Sequence, residues 1–290
     1  MRTALLVLCL CCWATPGCAR LVKPSDPVAC HTGLTYLDLM KMVVTDLEPE
    51  SASEAKAHRI VRYRHIEGKD AKTDPAGPVA LKYLEPLVIR SGGKTRLALM
   101  ADLGPSDEAV AEFVLLALFD LHGTPRLLDL VEVGTDRLTG FSDHPLLRLG
   151  HGSDLIRISS DHFNSDEDFV NTEFIFVRDG RFQLLDAVYT YNAKTCTYRL
   201  TEWPAVKTIA DPGRRYRRIV LTVPEKVALQ PDAADCGDEK APRPFVRSFH
   251  AVYRWSTQRR AFATMSSNLD ELGKQNDKLN SADPPLPSRR

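Results

Sequence analysis

Five consecutive residues with side-chain oxygen, Asn164 to Asp168 in "SSDHFNSDEDFVNTEF", raise the first chemical possibility in this chain, a bound calcium ion. Calcium takes about six to eight oxygens, commonly from alternate positions of a loop. Asn164, Asp166 and Asp168 supply that alternation, with Asp161 and Glu167 as further oxygens. A helix–loop–helix site is excluded. Phe169 stands where its sharp-turn glycine belongs, and Ile175 where its closing glutamate belongs. A looser calcium loop between strands is the surviving metal reading. The plainer expectation is a solvated acidic crossover whose like charges discourage a strand edge from pairing with another chain.

The same region holds His144, His151 and His162, accompanied by Asp143, Asp154 and Asp161. Imidazoles with carboxylates ligate zinc or pass protons. The histidine spacings of seven and eleven match no ligand pattern, and no His-Glu-x-x-His pair occurs. His144, His151, Asp161 and His162 therefore form a candidate surface, with ordinary turn and surface histidines as the plainer alternative. "VIRSGGKT" ends like a phosphate-binding loop, but Val88 occupies the place of its first glycine, and a Gly92-Gly93 hairpin turn explains it better. "GHGSD" is not a nucleophile elbow, so Ser153 reads as a turn residue. "GRRYRRI" groups Arg214, Arg215, Arg217 and Arg218 around Tyr216, a cluster able to hold an anionic polymer or headgroup.

Net charge is zero, but its distribution is uneven. From 100 to 175 there are 15 acids against four arginines and no lysine; from 200 to 265 there are 12 bases against seven acids. The two stretches either face each other or form separate solvated surfaces, the latter being the simpler reading. A neutral chain argues against nucleic acid as a partner.

These residues need elements to hold them. "LTYLDLMKMVVTDL", Leu34 to Leu47, has apolar residues on one helical face, although "MVV" also suits a strand. "SASEAKAH", residues 51–58, fits a helical turn or two. Four hairpins follow, centred on Gly92-Gly93, on His122 to Pro125, on Asp179-Gly180 and on Thr257-Gln258, and "YRRIVLTV" adds an unpaired strand. The turn centres do not recur at a fixed period, which excludes a propeller-like repeat. The expected fold is mainly β: an antiparallel hairpin meander, sandwich or open barrel, with a short N-terminal helix and a weak C-terminal helix. Residues 20–266 form the globular domain, and 267–290 the weak helix and a disordered tail.

Residues 1–19 read as a signal peptide. Arg2 is followed by an apolar stretch too short to span a bilayer, which takes about 20 residues. Cleavage after Ala19 is the first reading, and lipoprotein processing that leaves an anchor on Cys18 the alternative. No transmembrane helix is expected after the signal. In an oxidising compartment Cys196 and Cys236 are the expected disulfide, with Cys30 left over as a buried thiol or a rival partner. The functional expectation is an exported, periplasmic or extracellular, non-catalytic module that binds a ligand or envelope component. The alternative is a hydrolase or metal-dependent enzyme acting on an envelope or extracellular substrate.

Overall fold

The computed structural model describes residues 20–29, 31–47, 59–108, 111–231, 236 and 243–280. The signal region, Cys30, residues 51–58 and the tail beyond 280 lie outside the described residues.

Helix α1 (Tyr36–Lys41) opens on a capping box, in which the Thr35 hydroxyl accepts from Asp38 N and the Asp38 carboxylate accepts from Thr35 N. It is shorter than the apolar spacing of Leu34 to Leu47 predicts. The β-branched end of that run leaves the helix: Val44 forms a bridge with Ile60, and Val61 N donates to Val43 O. Strands β1 (Arg64–His65), β2 (Tyr83–Ser91), β3 (Lys94–Pro105), β4 (Glu112–Asp120) and β5 (Arg126–Glu132) make the first sheet. Its order is β1-β5-β4-β3-β2, antiparallel except that β1 runs parallel to β5.

The second sheet comprises β6 (Gly140–Gly150), β7 (Ser153–Phe163), β8 (Glu167–Arg178), β9 (Arg181–Lys194), β10 (Tyr198–Glu202), β11 (Ala205–Ile209), β12 (Arg218–Leu229), β13 (Phe245–Ser256) and β14 (Ala261–Ser267). The order is β14-β13-β12-β10-β9-β8-β7-β6, with β11 also paired to β12. The strand predicted as unpaired is β12. It is paired on both sides, with β13 along one side and β10 and β11 along the other. The turn after β11 reaches β6, where Arg217 N donates to Leu149 O at 2.7 Å.

Alternation along the strands builds three apolar layers. Leu97, Leu99 and Leu103 of β3, with Phe113, Leu115 and Phe119 of β4, pack under Leu39, Met40 and Val43 of the α1 segment. Their neighbours Ala98, Met100, Val114, Leu116 and Leu118 face Ile156, Ile158, Ile175 and Val177 of the second sheet. On the far side of that sheet, Leu155, Phe174 and Phe176 meet Leu221, Ala251, Trp255 and Leu272. Unbroken apolar runs such as "FVLLALF" arise because both strand faces are covered. Helix α2 (Leu269–Asn280) docks against β9 and β13 with Leu272 buried. Polar bonds hold it as well: Gln275 and Arg247 both donate to the buried Glu225, and Asn276 Nδ2 donates to Glu202 Oε2 at 2.9 Å. No described helix is long and apolar enough to cross a membrane.

Candidate functional site

The acidic stretch is a hairpin turn between two paired strands. Asp161 and His162 belong to β7, Asp168 to β8, and Phe163 pairs with Asp168 across the turn. It is a turn within the sheet, and the solvated crossover expected beside a free edge is corrected accordingly. Asn164 N donates to Glu167 O at 2.7 Å, and Lys194 N to Asp166 O at 2.8 Å, so backbone bonding shapes the turn. Asn164 and Asp166 are exposed, while Asp168 lies 3.5 Å from Asn192 Nδ2. Among the described residues, no three His, Cys, Asp or Glu side chains are gathered as metal ligands.

The candidate histidines are spread apart. His151 sits in the β6–β7 turn with φ 46°, and His162 lies at the far end of β7. The eleven residue steps between them span roughly 35 Å of extended strand. His144, φ 52°, occupies an irregular part of β6, and its carbonyl accepts from Arg157 Nη2 at 2.9 Å. His162 alone has a carboxylate partner, Asp136 Oδ1 at 3.0 Å from Nδ1, and its ring meets the edge of Phe169. Asp161 is next to it in sequence but has a buried Oδ1 with no hydrogen-bond partner among the described residues. Burial first, and then the charges of Asp168 and Asp136, raise its carboxyl above the usual range.

A better-formed site lies at the other end of β8. Ser91 and Gly92 from the β2–β3 turn, Arg178 and Asp179 from the β8–β9 turn, Arg215 and Tyr216 before β12, and Trp255 and Arg260 around the β13–β14 turn line one cleft with Val177. Hairpin geometry brings these distant segments together. Ser91 Oγ donates to Val177 O at 3.2 Å, Gly92 N to Ser153 Oγ at 3.0 Å, and Gly93 N to Gly152 O at 3.0 Å, so the turns of the two sheets are tied tip to tip. Arg90 extends the tie, its backbone N donating to Asp154 Oδ2 at 2.8 Å.

The cleft carries an excess of positive charge. Arg260 Nη2 donates to Asp179 Oδ2 at 2.8 Å, and Arg178 Nε stands 3.5 Å from the same oxygen. One carboxylate is thus shared by two guanidinium groups. Arg215, exposed, makes no ion pair among the described residues and lies over Tyr216 at 5.4 Å from the ring centroid. Behind it, Tyr216 meets Trp255 at 4.6 Å between ring centroids, and Trp255 meets Phe262 at 5.4 Å. Guanidinium forks match the oxygens of phosphate, sulfate and carboxylate, and the aromatic wall suits a flat or apolar attachment.

Of the four arginines in "GRRYRRI", only Arg215 lines the cleft. Arg217 turns away, its Nε donating to Thr208 Oγ1 at 3.0 Å. Arg178, Trp255 and Arg260 were not singled out from sequence, because each reads locally as hairpin chemistry. Their convergence depends on sheet packing across long separations. The acidic stretch 100–175 and the basic stretch 200–265 share no ion pair among the described residues. Asp120, Asp129 and Asp154 are instead met by Arg96, Arg64 and Arg90, and Glu225 and Asp211 by Arg247 and Arg254.

No family model matches the chain, and no curated protein or solved structure matches it either.

Proposed function

We propose that this protein is a non-catalytic binding module of an exported, periplasmic or extracellular system, and that it takes an anionic group of its ligand in the arginine cleft. The observation that carries this reading is three guanidinium groups lining one cleft beside an aromatic wall, with a single carboxylate that pairs with two of them and leaves Arg215 over. The Cys196–Cys236 disulfide, Cα to Cα 5.8 Å, supports export, since such bonds persist in oxidising compartments. Trp255 provides the optical reporter. Phenyl phosphate, inorganic phosphate and sulfate are titrated against its fluorescence at constant ionic strength. Saturable binding is expected, tightest for phenyl phosphate, and Arg215→Ala should weaken it about tenfold, the loss of one charge-assisted contact. Arg215 is exposed, so its removal leaves the fold intact. Equal titrations for wild type and Arg215→Ala would sink the reading.

The His162–Asp136 pair favours a second reading, a hydrolase, because a histidine oriented by a carboxylate is the usual general base. A panel of ester, phosphoester and glycoside substrates tests it: activity abolished in His162→Ala would transfer the function to that end of β7.

A further inference from the structure

On the face of β8 that carries Ile175 and Val177 towards the first sheet, the next two inward positions are Glu173 and Asn171. Glu173 is 1% exposed and Asn171 4%. Both carboxylate oxygens of Glu173, and Oδ1 of Asn171, are buried without a hydrogen-bond partner among the described residues. Leaving such acceptors unsatisfied is unfavourable, and more so for a charged group. Three bare acceptors on two successive inward positions of β8 therefore call for a donor.

The surroundings supply acceptors and negative charge. Glu67 stands above, its Oε1 accepting from Asn171 Nδ2 at 3.5 Å and from the Tyr189 hydroxyl at 3.4 Å. Asn171 Nδ2 also donates to Thr135 Oγ1 at 3.1 Å, so the amide's donor side is used and its oxygen is left free. Glu67 is held in place by the buried His65, whose Nδ1 accepts from Glu67 N at 3.1 Å and whose ring donates to the Gly134 carbonyl. Tyr189 sits across from Asn171, and Ala187 across from Glu173. Burial, and then the like charge of Glu67, push the Glu173 carboxyl well above its usual range, and no cation among the described residues counters them.

We propose that Glu173, Asn171 and Glu67 form a binding site for a primary ammonium group. An ammonium has three N–H donors and no acceptor, which matches Glu173 Oε1, Glu173 Oε2 and Asn171 Oδ1. Glu67 at the mouth supplies a second negative charge, and the Tyr189 ring a face for the cation and its methylene stem. A divalent metal fits less well, because it needs about six or more ligands and the described residues gather no three His, Cys, Asp or Glu side chains. Glu67 and Tyr189 are both exposed and both lie within electrostatic reach of Glu173, so the buried carboxyl has surface residues as neighbours. The source is a free alkylamine or a lysine side chain of a partner.

Isothermal titration of the mature chain at about pH 8, where amines remain charged, tests the site with n-butylammonium against tetramethylammonium, which has the charge and no N–H. Butylammonium is expected to bind one to one. Glu173→Gln should weaken it at least about tenfold, and Glu67→Gln, a change at an exposed position that leaves folding untouched, should weaken it several-fold. Tetramethylammonium should not compete. An N-acetyl, N-methylamide lysine separates the sources: binding equal to butylammonium identifies a peptide lysine, and exclusion identifies a free amine. No butylammonium binding up to about 50 mM would overturn the proposal and leave Glu173 a carboxyl that holds a proton. Equal binding of the two cations, or binding indifferent to both variants, would overturn it as well. Arg215→Ala should leave amine binding unchanged, so the outcome here stands apart from that at the arginine cleft.

Discussion

A Cβ placed on Gly152 would lie 2.7 Å from Gly93 Cα and 2.9 Å from Gly93 N, closer than side-chain atoms come to backbone. Gly152 also has φ 61°, in the left-handed region. The close approach follows from the tip-to-tip meeting of the β2–β3 and β6–β7 turns, where Gly93 N donates to Gly152 O. Gly123 separates the two effects, with φ 72° and nothing within 4 Å of its Cβ position. Gly123→Ala should lose only the backbone term, about 1 kcal/mol. Gly152→Ala should lose about 3 kcal/mol and loosen the cleft whose wall these turns form. Urea unfolding of both variants measures this, and equal losses would show that the contact between turns contributes nothing. "SGGK" and "GHGSD" are legible as turns, since glycine-rich dipeptides between apolar runs have few other uses. That the two turns touch is not legible, because it depends on how two separate sheets stack. Arg178, Arg215 and Arg260 share that property, and so does Glu173, whose neighbour Asn171 bonds to Glu67 and Thr135 in the segments that follow β1 and β5.

At the scale of elements, three hairpins out of four lie where the turn residues place them, and the fourth, β13 and β14, turns one or two residues later than Thr257-Gln258 suggests. The period-two signal was strong in these because one turn dipeptide separates two β-branched or aromatic runs. The β6–β7 pair was missed. Its register slips between Phe141 and Leu146 and again between Arg148 and Gly150, which scrambles alternation along β6. The short strands β10 and β11 were missed for want of length. The Cys196–Cys236 pairing was legible, and it joins the β9–β10 turn to the segment between β12 and β13. Closing a loop with a sequence separation of 40 restricts the unfolded chain by about 4 kcal/mol. The Cys196→Ser, Cys236→Ser double variant should therefore unfold several degrees lower while keeping its far-ultraviolet spectrum. A melting temperature indifferent to reduction would mean that β10 and β12 are held by their ladder alone.

Across the whole molecule, buried carboxyls decide how stability varies with pH. Burial is the leading cause that pushes Asp102 and Asp186 up to about 6, and Glu132 and Glu202 up to about 7. Glu132 is fully buried and accepts from both the backbone N–H and the hydroxyl of Thr73. Glu202 accepts from Tyr191 N and from Asn276 Nδ2, which links its protonation to the docking of α2. The ordinary values of these groups in the unfolded chain are 3.8 for Asp and 4.5 for Glu. Between those values and 6 to 7 the folded protein holds protons that the unfolded chain has released. Each such group stabilises fully below its unfolded value, and the contribution is lost as pH rises through the folded value. Asp120 works in the opposite sense. The His122 backbone N–H, with Arg96 and Arg126 beside it, holds its carboxyl down at about 2, so its contribution is present above 3.8 and lost as pH falls through about 2. His65, whose burial holds its imidazole below the usual 6.5, also opposes the trend, because the unfolded chain takes up a proton there at higher pH than the folded one. Carboxyls with raised values outnumber that one histidine, so stability should peak near about pH 5 and decline towards about pH 8. Urea midpoints across that range measure the decline. Glu132→Gln with Glu202→Gln should flatten it, since an amide keeps the shape and cannot ionise, and α2 should then stay docked at the alkaline end. A midpoint that rises from pH 5 to pH 8, each within about half a unit, would mean that these carboxyls ionise freely in the folded protein and that the polar seat of α2 takes charge without loss.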